Sequence, residues 1–167
     1  MREREAFIVE FDHEMAATRR VLERVPDDAF EWAPHERSFS LGGLASHLAQ
    51  LPHWGSQILD AEMYDLAGAT GQSTPKDSRA EVLETFDRHV SEVRRALVAG
   101  SDAELAVPWT LKRGAHVVLS MPRIAALRRF LLHHVIHHRG QMTVYLRLLG
   151  QKVPSIFGPS ADDNQFL

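Results

Sequence analysis

Apolar positions recur at helical spacing along most of the chain, in four long stretches that each carry one apolar face. From about residue 4 to 25, Phe7, Phe11, Met15, Thr18, Leu22 and Val25 fall on one side, and Pro26 with Asp27-Asp28 ends the run. A loop rich in aromatics and proline follows (Phe30, Trp32, Pro34, Phe39). Ser40 is placed to cap a second helix over about 41–67, with Leu44, His47, Leu48, Leu51, Trp54 and Ile58 on its inner face. Pro52 lies inside that pattern and predicts a kink just beyond His47. After a Gly/Thr/Ser/Pro loop over 68–75, Ser78-Arg79-Ala80-Glu81 reads as a capping box. Val82, Phe86, Val90, Val93 and Leu97 then carry a third helix to about Gly100. The fourth runs from a cap at Ser120, with Pro122 in its first turn, to near Gly150. Four such helices predict one all-α domain over residues 1–167, a four-helix bundle.

Two stretches fall outside the helical pattern. Residues 101–119 are irregular, and Val107-Pro108-Trp109 and Val117-Val118-Leu119 suit a short hairpin around Lys112-Arg113-Gly114. Any strand is expected there, between helices three and four, and a sheet of three or more strands is not expected. The tail over 153–167 holds two prolines and is expected to drape over the bundle.

Composition narrows the chemistry. A chain of 167 residues supports a full core without staples. It has no cysteine, which excludes disulfides, zinc ribbons and thiol nucleophiles, so any metal must be held by His, Asp or Glu. A net charge of −3 gives no electrostatic footprint for nucleic acid. No apolar run reaches the ~20 residues that span a membrane. The start, Met-Arg-Glu-Arg-Glu, is charged and lacks the apolar core of a signal peptide, so a cytoplasmic protein is expected.

The histidines change the picture. Four of the ten lie within His133-His134-Val135-Ile136-His137-His138, inside the fourth helix. Imidazole is costly to bury without a partner and is the commonest neutral metal ligand, so such a cluster needs hydrogen-bond acceptors or a metal. Chance alone gives about 0.6 pairs at i,i+4 and the chain has two, so the helical wheel must discriminate. Ile124, Leu127, Leu131, Val135, Met142, Tyr145 and Leu149 form one stripe. His138 lies in it and His134 at its edge, whereas His133 and His137 fall toward the polar side. A catalytic site needs a third ligand and an open position. His13 and His53 fall on polar faces, His35 and His116 lie in loops, and His89 sits at the margin of the third helix's stripe. His47, between Leu44 and Leu51, is on a core face. His47, His134 and His138 are the triad the pattern selects.

Several larger pieces then resemble one family. They are the stretch from Glu31-Trp32 to Phe39-Ser40, Leu44-Ala45-Ser46-His47-Leu48, Leu51-Pro52-His53-Trp54, the His134–Gln141 block ending His-Arg-Gly-Gln, and Gly158-Pro159-Ser160-Ala161-Asp162. Together they resemble the DinB/YfiT-like family, whose members are regarded as metalloenzymes. The resemblance implies a four-helix bundle that holds a divalent metal through three histidines, matched here by His47, His134 and His138. It also implies a homodimer. Characterised relatives include thiol S-transferases and a thiol-dependent isomerase, and the family name carries no implication of DNA binding.

Three neutral imidazoles leave the full charge on a divalent ion, which draws a bound water or thiol toward deprotonation. Zinc or nickel is expected first, with iron, manganese or copper open. The expected function is a metal-dependent enzyme of small molecules, with thiol S-transfer placed above hydrolysis. The partner is then a small molecule, such as a low-molecular-weight thiol, with no nucleic acid and no membrane. The rival is a non-catalytic bundle dimer with a structural metal or none. Arg139 reads first as a residue facing away from the ligand stripe and paired with an acid, and second as an anchor for an anionic substrate. Gln141 suits a hydrogen bond to a ligand histidine, or packing against a neighbouring helix. Gly140 suits a close helix approach, and Trp32, Trp54 and Trp109 read as core or pocket walls.

Overall fold

The computed structural model describes residues 2–68 and 74–164. Helix α1 spans Glu3–Leu22 and buries Phe7, Phe11, Met15, Thr18 and Leu22, the face its spacing predicts. Helices α2 (Leu41–Gln50), α3 (His53–Asp60) and α4 (Arg79–Ala99) follow. After a short α5 (Asp102–Ala106) and a strand pair come α6 (Arg123–Leu127), a π-helical turn (Arg128–Leu132) and α7 (His133–Leu148), continuous with one another. Helix α1 packs on α4 and α7, and α2 packs on the same two. Leu44, Leu48, Phe86, Val93, Leu131 and Val135 fill the space between them. No helix of the described residues is long and apolar enough to cross a membrane.

The all-α expectation is corrected. Strands β1 (Met63–Asp65), β2 (Pro108–Arg113) and β3 (His116–Pro122) form a three-stranded sheet in the order β1-β2-β3. The hairpin of β2 and β3 is antiparallel and turns at Gly114, whose φ of 58° suits glycine. The third strand is the surprise, since β1 lies within the stretch read as one helix over 41–67 and pairs in parallel with Thr110–Lys112. Arg123 donates from Nε to the Ile58 carbonyl (3.0 Å) and from Nη2 to that of Ala61 (3.2 Å). Those bonds satisfy carbonyls at the α3 terminus, and Ala61 is already extended. Tertiary pairing overrides the local helical pattern here. Trp109 and Leu111 turn inward from β2, and Trp109 meets Phe130 (5.7 Å), which stacks on Trp54 (5.9 Å). This aromatic cluster holds the sheet to the helices.

Other boundaries differ in detail. Pro52 breaks the second helix outright, because it offers no N–H to the turn. Helix α3 then runs so close to α4 that a Cβ on Gly55 would lie 2.7 Å from both γ-carbons of Val93. Ser40 and Ser78 cap α2 and α4 as read, through the amides of Gly43 and Glu81. Ser120 is not a cap. It lies in β3, and the helix starts at Arg123 behind Pro122. Residues 102–106, read as irregular, form α5 through a Ser101/Glu104 capping box. The tail drapes over the bundle as far as Asn164, with Ser155 buried and its carbonyl accepting from Arg20 (3.0 Å). Its last three residues, and 69–73 of the loop over 68–75, lie outside the described residues.

A buried ion pair joins α1 to α7. Arg139, only 1% exposed, reaches Glu14, which is 6% exposed. Nη2 lies 2.7 Å from Oε2, close but off the line of a well-aligned hydrogen bond. Nη1 donates to the Glu14 carbonyl (3.1 Å) and to Thr18 Oγ1 (3.3 Å), and Phe157 covers the guanidinium at 5.1 Å. Arg139 therefore pairs with an acid as read, but it points into the core rather than away from it. Removing one member leaves a buried charge without its partner. Glu14→Ala is expected to cost about 3–5 kcal/mol in urea unfolding of the metal-free protein. A Glu14→Leu/Arg139→Met double variant should recover most of that loss.

Candidate metal centre

The π turn decides which face of α7 looks inward. Its wider i→i+5 spacing, seen where His133 N–H meets the Arg128 carbonyl, admits an extra residue before the helix resumes. The apolar stripe therefore shifts from Leu131 to Leu132 and continues through Val135, Arg139, Met142 and Leu146, all buried. A uniform helical wheel puts His138 in that stripe. The structure gives the position to Arg139 and sets His134 and His138 at the half-buried edge, facing α2.

There they meet His47. One nitrogen from each of His47, His134 and His138 lies within 4.8 Å of those of the other two. His47 Nε2 and His134 Nε2 are 3.4 Å apart. That is long for a hydrogen bond between rings. It matches the separation of about 3.4 Å that two nitrogens show at tetrahedral angles around zinc, each about 2.1 Å from it. The rings fan around the same point, with centroids 4.6 Å apart for His47 and His138 and 5.2 Å for His47 and His134. The donor set fits a divalent ion. Among the described residues no fourth His, Asp or Glu joins the group, which leaves room for an exogenous ligand.

His138 is oriented from behind. His138 Nδ1 donates to Gln141 Oε1 at 2.6 Å, which leaves Nε2 with its lone pair, the role read for Gln141 from sequence. The Phe130 carbonyl, within the π turn, stands near enough to His134 to favour its protonated form. Phe39 forms one wall, stacked with His47 (5.8 Å, 16°) and edge-on to His138 (6.4 Å), while remaining 53% exposed. Tyr145 Oη donates to the Phe39 carbonyl (3.2 Å), and Trp32 stands edge-on to Tyr145 (5.6 Å). Trp32 is thus a supporting wall, whereas Trp109 and Trp54 belong to the aromatic cluster under the sheet. A Cβ at Gly140 would meet nothing within 4 Å, so no close helix approach explains that glycine.

The electrostatics keep these imidazoles neutral. Desolvation, followed by the neighbouring His138 and His134, lowers the pKa of His47 to about 4. Burial is also the main cause that lowers His134 and His138. Neutral rings are the ligating form. His133 and His137 are exposed, as their place on the wheel predicts. Sequence reasoning missed a second grouping, in which His53 and His89 come together with Glu92. Its one signal was the i,i+3 spacing of His89 and Glu92 on the third helix.

The comparisons agree with this geometry at the level of fold. The model of the DinB family matches residues 2–165. The uncharacterised protein YrdA of Bacillus subtilis strain 168 is 25% identical over 157 residues, covering 94% of this chain and 89% of its own. A DinB-like protein from Bacillus cereus ATCC 10987 superposes with a TM-score of 0.74 at 21% identity, over 92% of this chain and 97% of that one. The DinB-like protein YjoA of Bacillus subtilis gives 0.67 at 17%, over 87% and 92%.

The lowered pKa of His47 has a direct consequence for the metal-free protein. Unfolded imidazole takes up protons below about pH 6.5, while folded His47 resists until about 4, so the unfolded state binds more protons in between. Stability should therefore fall as pH drops from about 6.5 to 4. Urea midpoints measured across that window should decline less steeply for His47→Gln than for the parent protein.

Proposed function

This chain belongs to the DinB family, and on that premise we propose that it is a divalent-metal-dependent enzyme of small molecules, with His47, His134 and His138 as the metal ligands. The observation that carries this reading is the convergence of three neutral imidazoles without a fourth protein ligand among the described residues. A closed structural site uses four protein ligands, whereas a catalytic one keeps a position open. The bound ion supplies positive charge that acidifies a coordinated thiol or water.

Within that class, thiol transfer suits the chain better than hydrolysis. Hydrolytic metal sites commonly place a carboxylate beside the ion as general base. No Asp or Glu belongs to the three-histidine group among the described residues. A thiol needs only to lose its proton, which passes to solvent at this half-open site. The thiolate sulfur then forms a C–S bond as the bond to the leaving group breaks. Phe39, exposed over His47, offers an apolar face to the carbon electrophile. Gln141 holds His138 in the ligating tautomer.

The assay incubates metal-loaded protein with a low-molecular-weight thiol and an aryl halide, beside an ester. His47→Ala should lose turnover and the metal of the three-histidine site while keeping its helical circular dichroism. Gln141→Ala should weaken metal affinity by about 10- to 100-fold. If neither reaction exceeds the His47→Ala control with zinc, nickel, iron, manganese or copper, the catalytic reading fails.

A further inference from the structure

Beyond the three-histidine site, His53, His89 and Glu92 form a separate cluster on the α3/α4 face. One ligand atom from each lies within 4.8 Å of the other two. His53 opens α3 directly after Pro52, while His89 and Glu92 stand one turn apart on α4. The two rings are 5.3 Å apart and inclined at 39°. His89 is already oriented as a ligand, because its Nδ1 donates to the Ala49 carbonyl at 3.2 Å. That bond fixes the tautomer and leaves Nε2 with its lone pair. Gln57 reaches His53 Nε2 at 2.9 Å from the next turn of α3. The Gln57 amide nitrogen donates there, so an ion at Nε2 would displace this exposed amide.

We infer that His53, His89 and Glu92 form a second divalent-metal site, of the two-imidazole, one-carboxylate type, which ties the break after Pro52 to α4. Two imidazoles and one carboxylate select borderline ions such as zinc or cobalt over magnesium or calcium. The carboxylate offsets part of the ion's charge, so this site differs electrostatically from the three-imidazole centre. Its exposed His53 makes it exchangeable. Its place across the α3/α4 contact makes it a clamp on the segment that follows the His47 helix. Nothing in this inference depends on the proposed reaction.

The test uses full-length protein and zinc as the probe, with equilibrium dialysis at micromolar free metal and neutral pH. Two equivalents should bind the parent protein. His89→Ala and His53→Ala should each bind one, and His47→Ala should also bind one. His47→Ala, with only this second site intact, should gain thermal stability on adding zinc, and His47→Ala/His89→Ala should gain none. Glu92→Gln keeps the shape and removes the charge, so it should weaken the zinc retained by His47→Ala at least tenfold. A single equivalent in the parent that His47→Ala abolishes would overturn the inference. So would a second equivalent that persists in both His53→Ala and His89→Ala.

Discussion

The Glu14–Arg139 pair is the constraint on which the candidate site depends. A guanidinium enters a protein core only where a carboxylate and further acceptors receive it. On α7 that requirement fixes the helix's rotation, because Arg139 must face Glu14 and Thr18 of α1. His138 is the adjacent residue, and His134 lies one turn before it. With Arg139 turned toward α1, both imidazoles are carried to the α2 side, where His47 waits. An apolar residue at 139 would pack against α1 without naming a single rotamer or depth. The ion pair thus contributes orientation as much as stability.

The π turn at Arg128–Leu132 is the second half of the same device. Helices tolerate such a turn at the cost of poorer hydrogen bonding, and it commonly occurs beside functional residues. Here the extra residue lets one continuous helix satisfy two rotational demands. Its first part buries Ile124, Leu127 and Leu131, and its second buries Val135, Arg139, Met142 and Leu146. The turn also sets the Phe130 carbonyl behind His134. Backbone irregularity and the placement of His134 therefore arise from the same stretch.

Much of this was legible in the sequence, though unevenly. Helical spacing in α1 and α4 names buried residues correctly except for the half-buried Val90, because nothing interrupts their registers. The Ser40 cap and an interruption at Pro52 follow from local backbone chemistry alone, although the kink read there is a full break. The three histidines could be chosen because apolar neighbours marked their faces. What failed was non-local. Met63–Asp65 becomes a strand only because β2 lies beside it, and no local pattern announces a parallel partner 47 residues away. A wheel drawn at one uniform period cannot see the π turn, so it put His138 in the stripe and Arg139 outside it. His53 reads as a polar-face residue and His89 as one at the margin of an apolar stripe, and only the α3/α4 packing brings them together.

If the rotation of α7 serves metal binding, it brings His134 and His138 to one ion with His47. X-ray absorption on zinc-loaded His89→Ala protein, which lacks the second cluster, reads that arrangement directly. The expected spectrum shows three imidazole nitrogens at about 2.0–2.1 Å with one light exogenous ligand. Loss of one imidazole signal is expected in His134→Ala and in His138→Ala, each made in that background. Fewer than three imidazoles around the zinc, or a spectrum unchanged by either substitution, would contradict that arrangement.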